Sequence, residues 1–221
     1  MQEQKVEKDK IKYNKLKVFI TGYLGFMGIN ENPTETLVKE IIAKKSLFNK
    51  ENIEIINHKI FEVTTDYVDN NIHSFYKEIE HDKEGDVLFL IVHFGLSSTI
   101  SIPKIETTAF NYINDEVKSR PICDSDGKCF LSRLDTECIV NNLNKTQNSQ
   151  NKKLMCKVSK DAGKYLCNYI FYKSLKYYEK IPNVLVTFIH IPFFEKFSLE
   201  QNFELFQKLL DNVKNMYLKE N

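Results

Sequence analysis

The chain has 221 residues, of which 42% are hydrophobic and 28% charged, a balance typical of a folded globular domain and not of a disordered chain. Its net charge of +1 provides no overall field that would attract nucleic acid or an acidic membrane surface. The five cysteines form no CxxC pair and no zinc-finger spacing, so we expect reduced thiols and a cytoplasmic location.

The amino-terminal residues 1–15 are rich in Lys and Glu and predict a mobile polar lead-in, not a secretory signal. No apolar run approaches the roughly 20 residues that a membrane span requires. We therefore expect a single domain over residues 1–221 that does not associate with a membrane.

The first half of the chain alternates predicted strands and helices. A strand at Leu16–Ile20 precedes a glycine-containing loop, Thr21–Gly28, and a helix that starts near Pro33. Residues 54–60 predict a second strand, and a helix follows it. Asp86–Phe94 is the longest apolar run, which is typical of a central strand that is covered on both faces.

The second half continues this alternation. Helical spacing at Leu131–Leu143 leads into residues 141–153, which are rich in Asn, Gln and Lys and predict a solvated loop insertion. A long helix at Ala162–Lys180, a strand at Val184–Ile191 and a helix at Leu199–Leu218 follow. The pattern predicts the α/β class, as a three-layer α/β/α sandwich around a mainly parallel twisted sheet.

Three residues would form a catalytic set if the fold brought them together. Cys167 lies near the predicted start of a helix, whose dipole and free N–H groups stabilise a thiolate; the alternative is a small core residue. His190 ends the last strand, where an imidazole would exchange a proton with a thiol or simply pack. Glu106 would orient that imidazole, or would be an ordinary solvated carboxylate.

The loop after the first strand contains candidate binding residues of a different kind. Tyr23 and Phe26 would form an apolar slot, and Asn32 would hydrogen-bond a ligand there. The alternative is a packed turn in which Asn32 only caps the helix. The glycines of this loop are spaced by threes, which does not match nucleotide-binding motifs, and the remaining histidines share no metal-ligand spacing. We expect no metal and no cofactor.

Four sequence blocks occur in the order found in the pyroglutamyl-peptidase I family, also called pyrrolidone-carboxylate peptidases. They are Thr21–Gly28 followed by Asn32–Thr34, Val92–Gly95 leading to Glu106 and Asn111, Asp161–Asn168, and Phe188–Pro192. The chain resembles this family from about Lys17 to its last helix, and the block around Cys167 is the most specific. The Gly95–Ser98 segment is more similar to the eukaryotic branch than to bacterial members.

The resemblance implies a cysteine peptidase with an α/β/α fold that removes pyroglutamate from the amino terminus of peptide substrates. It implies Cys167 as the nucleophile, His190 as the general base and acid, and Glu106 as the acidic partner. It also implies that Tyr23 and Phe26 hold the pyrrolidone ring. Asn32 matches the asparagine that lies beside that pocket in the family.

The chain departs from the family pattern in several places. Leu24–Gly25 replaces an acidic residue and a proline, and Met27 replaces a glycine. Arg120 is the match for an active-site arginine of bacterial members, although the intervening segment is longer here. The altered loop keeps two alternatives open: a non-catalytic homologue that binds pyroglutamyl ends or a protein partner, and a cysteine hydrolase of another blocked amino terminus. The sequence carries no signal for the oligomeric state.

Overall fold

The computed structural model describes residues 12–80, 85–114, 119–124, 129–145 and 155–220. Within them the chain forms ten strands: β1 (Lys15–Tyr23), β2 (Ile53–Phe61), β3 (Val87–Leu96), β4 (Lys104–Glu106), β5 (Thr108–Phe110), β6 (Ile113–Asn114), β7 (Ser119–Arg120), β8 (Cys129–Leu131), β9 (Lys157–Ser159) and β10 (Val184–Ile191). The α-helices of this part are α1 (Pro33–Ala43), α2 (Thr65–Glu80), α3 (Thr136–Lys145), α4 (Leu166–Tyr177) and α5 (Leu199–Tyr217).

Six strands form the main sheet, in the order β2-β1-β3-β10-β4-β9. Every neighbouring pair is parallel except β10 and β4, which are antiparallel. The two central strands β3 and β10 are buried along almost their whole length, as their uninterrupted apolar sequences predict. The predicted α/β class with a mainly parallel sheet is confirmed.

The helices cover both faces of this sheet. Helices α1, α3 and α5 pack on one face, where Leu37, Ile139 and Leu209 belong to one continuous core. Helices α2 and α4 pack on the opposite face, where Ile72 and Ile170 belong to a second core. Because apolar side chains of each strand alternate between the two cores, the sheet is the middle of three layers, as predicted.

Two predicted helices begin later than expected. The fourth begins at Leu166 instead of Ala162, because Gly163 has a φ of 85° and Asp161 Oδ1 accepts a hydrogen bond from its N–H at 2.9 Å. A residue in this left-handed conformation belongs to a turn, not to a helix. The third begins at Thr136 instead of Leu131, since Cys129–Leu131 pairs with β5 as strand β8.

The predicted lead-in and loop insertion are partly described. Residues 12–15 are not part of a mobile lead-in, because Tyr13 is buried and pairs with Leu218 in a parallel bridge. Residues 141–145 are the end of α3 and not a loop. Residues 1–11 and 146–153 lie outside the described residues, and a single domain over the whole chain stays a prediction. None of the described helices is both long and apolar enough to cross a bilayer.

Candidate active site

Strands β1, β3 and β10 are neighbours, and their carboxyl ends meet at one edge of the sheet. The first residues of α4 lie over this edge. The Sγ atom of Cys167 would be only 3.0 Å from a Cβ atom added to Gly95, near the end of β3. The half-buried Cys167 is therefore seated where an open α/β sheet usually forms its site.

His190 and Glu106 meet at the same edge. Strands β10 and β4 run antiparallel, which places Glu106 opposite Phe188 and two positions from His190. The His190 Nδ1 atom is 2.8 Å from Glu106 Oε1. The other carboxylate oxygen accepts a hydrogen bond from the Asp161 N–H at 3.2 Å. The carboxylate thus fixes the imidazole ring and leaves Nε2 for the thiol.

The protonation of His190 depends on its two partners. Burial by itself would lower the pKa of His190, because burial disfavours the charged ring. The charge and hydrogen bond of Cys167, followed by the hydrogen bond and charge of Glu106, outweigh burial and raise the pKa to about 9. At neutral pH the ring is therefore an imidazolium between a carboxylate and the sulfur, which is the arrangement that activates a cysteine nucleophile.

The start of α4 supplies further groups to this site. Cys167 is the second residue of the helix, and Tyr165 at the N-cap makes no side-chain capping bond. The first N–H groups of a helix have no partner within the helix, and the helix dipole there favours negative charge. The backbone around Cys167 can therefore stabilise both a thiolate and an oxyanion.

The predicted binding residues of the first loop have different environments. Tyr23, at the end of β1, is 3% exposed and belongs to the core beneath α2 and α4. Phe26 is half-buried and forms a bridge with Ile29 inside the loop. Tyr23 lies within electrostatic range of Cys167, because the thiol charge adds to burial in raising the pKa of Tyr23.

The side chain of Asn32 forms its hydrogen bonds with the loop and with the first turn of α1. Its side chain accepts hydrogen bonds from the Thr34 N–H at 3.0 Å and the Thr34 hydroxyl at 2.9 Å. Its amide nitrogen donates to the Leu24 carbonyl at 3.1 Å. The buried side chain therefore caps α1 and ties the loop closed; its contact with a substrate stays a prediction.

Comparison with known proteins identifies the family. The family model described as pyroglutamyl peptidase matches residues 16–204, which is most of the chain. The chain belongs to the pyroglutamyl peptidase family. It is 29% identical over 207 residues to pyrrolidone-carboxylate peptidase 1 of Caldanaerobacter subterraneus, covering 90% of this chain and 93% of the relative. It is 25% identical over 187 residues to the Thermococcus litoralis pyrrolidone-carboxylate peptidase, with 80% and 76% covered.

Solved structures of pyrrolidone carboxyl peptidases share the fold. The Fervidobacterium islandicum protein superposes with a TM-score of 0.74 at 21% identity, over 91% of this chain and 99% of that one. The Thermococcus litoralis protein gives a TM-score of 0.71 at 20% identity, over 93% and 98%. The six-stranded sheet with helices on both faces is thus the pyroglutamyl peptidase architecture.

Arg120, the predicted match to a family arginine, lies on the short strand β7 and is exposed. Its charge acts on the hydroxyl of Tyr169, two residues after Cys167 along α4. Arg120 is thus on the same side of the sheet as the candidate site, and a catalytic contribution from it stays a prediction.

Two buried residues that the sequence did not single out support the site. Asn168, next to Cys167, accepts a hydrogen bond from the Phe110 N–H and donates to the carbonyls of Phe110 and Tyr112, at 2.8, 2.8 and 2.7 Å. His93 is fully buried one layer below. In the sequence, the one signal for His93 was its position within the family block Val92–Gly95. The structure shows that its side chain is in the core.

His93 is the centre of a buried polar chain. Its Nδ1 is 2.8 Å from the Thr21 hydroxyl and its Nε2 is 2.9 Å from the Ser174 hydroxyl, which is 2.7 Å from the Tyr76 hydroxyl. Burial lowers the pKa of His93 to about 3, so the ring is neutral. The chain links β1, β3, α4 and α2 below Cys167.

Within the described residues, no group of three or more His, Cys, Asp or Glu side chains is arranged to hold a metal ion. None of the five cysteines, all of which lie in the described part of the chain, forms a disulfide. Cys156 is fully buried, and burial raises the pKa of its thiol to about 12. Cys167, by contrast, contacts His190 at the start of α4, and these surroundings suit a nucleophile.

Proposed function

We propose that this protein is a cysteine peptidase that hydrolyses the bond after an amino-terminal pyroglutamyl residue. The proposal rests on family membership together with one observation: His190 is held between the Glu106 carboxylate and the Cys167 sulfur at the start of α4. Cys167 acts as nucleophile, His190 as acid and base, and Glu106 orients the imidazole.

The first half of the reaction forms a thioester. The Cys167 thiolate attacks the carbonyl carbon of the pyroglutamyl residue, and the developing oxyanion is stabilised by backbone N–H groups at the start of α4. The His190 imidazolium then donates its proton to the departing amine of the peptide. Because His190 is already protonated at neutral pH, this proton is available without a prior transfer.

The second half hydrolyses the thioester. The neutral His190 left by the first half accepts a proton from a water molecule, which attacks the thioester carbonyl. The Cys167 thiolate departs, and the product is free pyroglutamate. Glu106 remains ionised throughout and stabilises each imidazolium that forms.

Substrate selection follows from the chemistry of the blocked end. A pyroglutamyl residue has no free α-amine, so the site needs no carboxylate to bind one. A small flat pocket that contains hydrogen-bonding groups for the lactam is sufficient. We assign Tyr23 to this pocket and place Phe26 and Asn32 at its edge, with Arg120 as a further active-site candidate.

The remaining assignments are proposals of the same kind. Five thiols outside disulfides, one of them assigned as the nucleophile, favour a reducing compartment such as the cytoplasm. The sequence of the Gly95–Ser98 segment favours a closer relationship to the eukaryotic branch of the family, although the relatives compared above are prokaryotic. The expected partners are peptides with an amino-terminal pyroglutamate.

The test is release of the fluorescent amine from pyroglutamyl-aminomethylcoumarin under reducing conditions, with and without iodoacetamide. We expect turnover that the alkylating agent stops and that a chelator leaves unchanged. Prolyl and acetylated aminomethylcoumarin amides in parallel define the substrate class. Faster turnover of either of these would show a hydrolase of another blocked end. No turnover by folded protein that still binds a pyroglutamyl peptide would show a non-catalytic homologue.

A further inference from the structure

The hydroxyl of Tyr23 is buried and has no hydrogen-bond partner among the described residues. Buried tyrosine hydroxyls normally form a hydrogen bond, as those of Tyr76 with Ser174 and of Tyr169 with Asp69 do here. Tyr23 is 3% exposed, yet its hydroxyl makes no hydrogen bond within the described part of the chain. An orphaned polar group costs stability, and one that lies near a candidate active site is available to a bound ligand.

The strand pattern places Tyr23 on the same face of the sheet as Cys167. Side chains alternate along β1, so Tyr23 shares a face with Thr21, which pairs with His93 on β3. The pairing of β1 with β3 ends at Thr21 and His93; Tyr23 follows two residues later on β1, as Gly95 does on β3, and the Cys167 sulfur lies over Gly95. Burial and the charge of Cys167 both raise the pKa of Tyr23, which keeps the hydroxyl protonated and able to donate.

We infer that the Tyr23 hydroxyl is a specificity-determining group that donates a hydrogen bond to the lactam carbonyl of the bound pyroglutamyl ring. This inference rests on the function proposed above and adds to it the hydrogen bond between the Tyr23 hydroxyl and the lactam carbonyl. The carbonyl of the lactam is the acceptor that distinguishes this ring from proline. We assign the backbone N–H groups at the start of α4 to the scissile carbonyl. The Tyr23 hydroxyl is therefore available for the lactam ring.

The variant Tyr23→Phe tests the inference, because it keeps the aromatic ring and removes only the hydroxyl. A bond to the ring is present in the bound substrate and in the transition state alike. We therefore expect KM for pyroglutamyl-aminomethylcoumarin to rise roughly tenfold to a hundredfold with kcat retained. Inhibition by 2-pyrrolidone, the bare lactam ring, should weaken by the same factor. The urea midpoint of the free protein should rise, since an orphaned hydroxyl is gone.

Thr187→Val is the matched control. The Thr187 hydroxyl is also buried and without a hydrogen bond among the described residues, but Thr187 pairs with Val92, on the opposite face of the sheet from Cys167. Its removal should raise the urea midpoint and leave KM, kcat and 2-pyrrolidone inhibition unchanged.

Three results would overturn the inference. Unchanged KM and unchanged inhibition in an active Tyr23→Phe enzyme would show that the hydroxyl does not bind the ring. A fall in kcat alone would assign the hydroxyl to the transition state instead. A lower urea midpoint would show that Tyr23 has a structural bond. Absence of turnover by the wild-type protein is a separate outcome, which removes the proposed function and with it this inference.

Discussion

At the scale of single residues, the sequence identified the chemical groups but not their geometry. An ordinary structural role was the alternative for each of Cys167, His190 and Glu106. The family blocks favoured the catalytic role. The 2.8 Å contact between His190 and Glu106 arises from the antiparallel pairing of β10 with β4. That pairing joins residues 84 positions apart, which no local pattern in the sequence encodes.

The variant Glu106→Gln tests the role of this carboxylate. The Glu106 charge is one of the causes that raise the pKa of His190 to about 9, so its removal lowers that pKa. We expect kcat to fall about 10²–10⁴-fold, and the alkaline limb of the kcat/KM profile to move to lower pH. Glu54→Gln, at an exposed ion pair with Lys15, should change neither. An unmoved alkaline limb would exclude Glu106 as the partner of His190.

At the scale of elements, hydrophobic periodicity predicted which segments are helices and strands better than it predicted their ends. The start of α4 depended on the left-handed Gly163, and β8 replaced the first turn of a predicted helix. These turns depend on tertiary contacts. The same is true of the position of the Cys167 side chain, which requires that β3 carry no side chain at Gly95.

Gly95→Ala should disturb the position of the Cys167 side chain. An added Cβ would lie 2.4 Å from the Phe188 ring and 3.0 Å from the Cys167 sulfur, and Phe188 is fully buried and cannot move away. We expect a loss of about 1–3 kcal/mol in unfolding free energy and a fall in kcat. Gly85→Ala, where an added Cβ meets nothing within 4 Å, is the control for both measurements. Full activity in Gly95→Ala would show that the sulfur has more room than the structure gives it.

Asn168→Ala should loosen the start of α4. The side chain makes three hydrogen bonds to the backbone of Phe110 and Tyr112, and its removal leaves those groups without their partner. We expect a loss of about 3 kcal/mol in urea unfolding, together with a lower kcat. Asn71→Ala removes one bond, to the carbonyl of Tyr67 within α2, and should cost less than 1 kcal/mol. Equal losses in the two variants would contradict the anchoring role.

At the scale of the whole molecule, the α/β class and the mainly parallel sheet were predictable from the alternation of apolar strands and amphipathic helices. The buried chain through His93 was not, because it joins four elements by side-chain contacts across layers. Ser174 joins His93 to Tyr76 within it. Ser174→Ala should cost about 2–3 kcal/mol in unfolding free energy, whereas Ser74→Ala on the exposed side of α2 should cost much less.

The two buried histidines predict how stability depends on pH. The pKa of His190 is raised from 6.5 to about 9, so its contribution is complete below 6.5 and is lost as pH rises through about 9. The pKa of His93 is lowered from 6.5 to about 3, so its contribution is present above 6.5 and is lost as pH falls toward 3. From these two groups we expect urea-unfolding free energies to be highest near pH 6.5.

The variant His190→Gln separates the two contributions. It removes the alkaline titration, so the decline between pH 6.5 and 9 should become shallower while the acid limb is kept. A decline of unchanged steepness on the alkaline side would show that His190 is not the group responsible.

The central claim is that Cys167 is the nucleophile, and the most direct measurement compares turnover of pyroglutamyl-aminomethylcoumarin by Cys167→Ser and Cys129→Ser. Both changes are nearly isosteric, and Cys129 is an exposed thiol on β8, outside the candidate site. We predict that Cys167→Ser lowers kcat by roughly 10³-fold or more with an unchanged circular dichroism spectrum, and that Cys129→Ser keeps wild-type turnover. Wild-type turnover in Cys167→Ser would contradict the account.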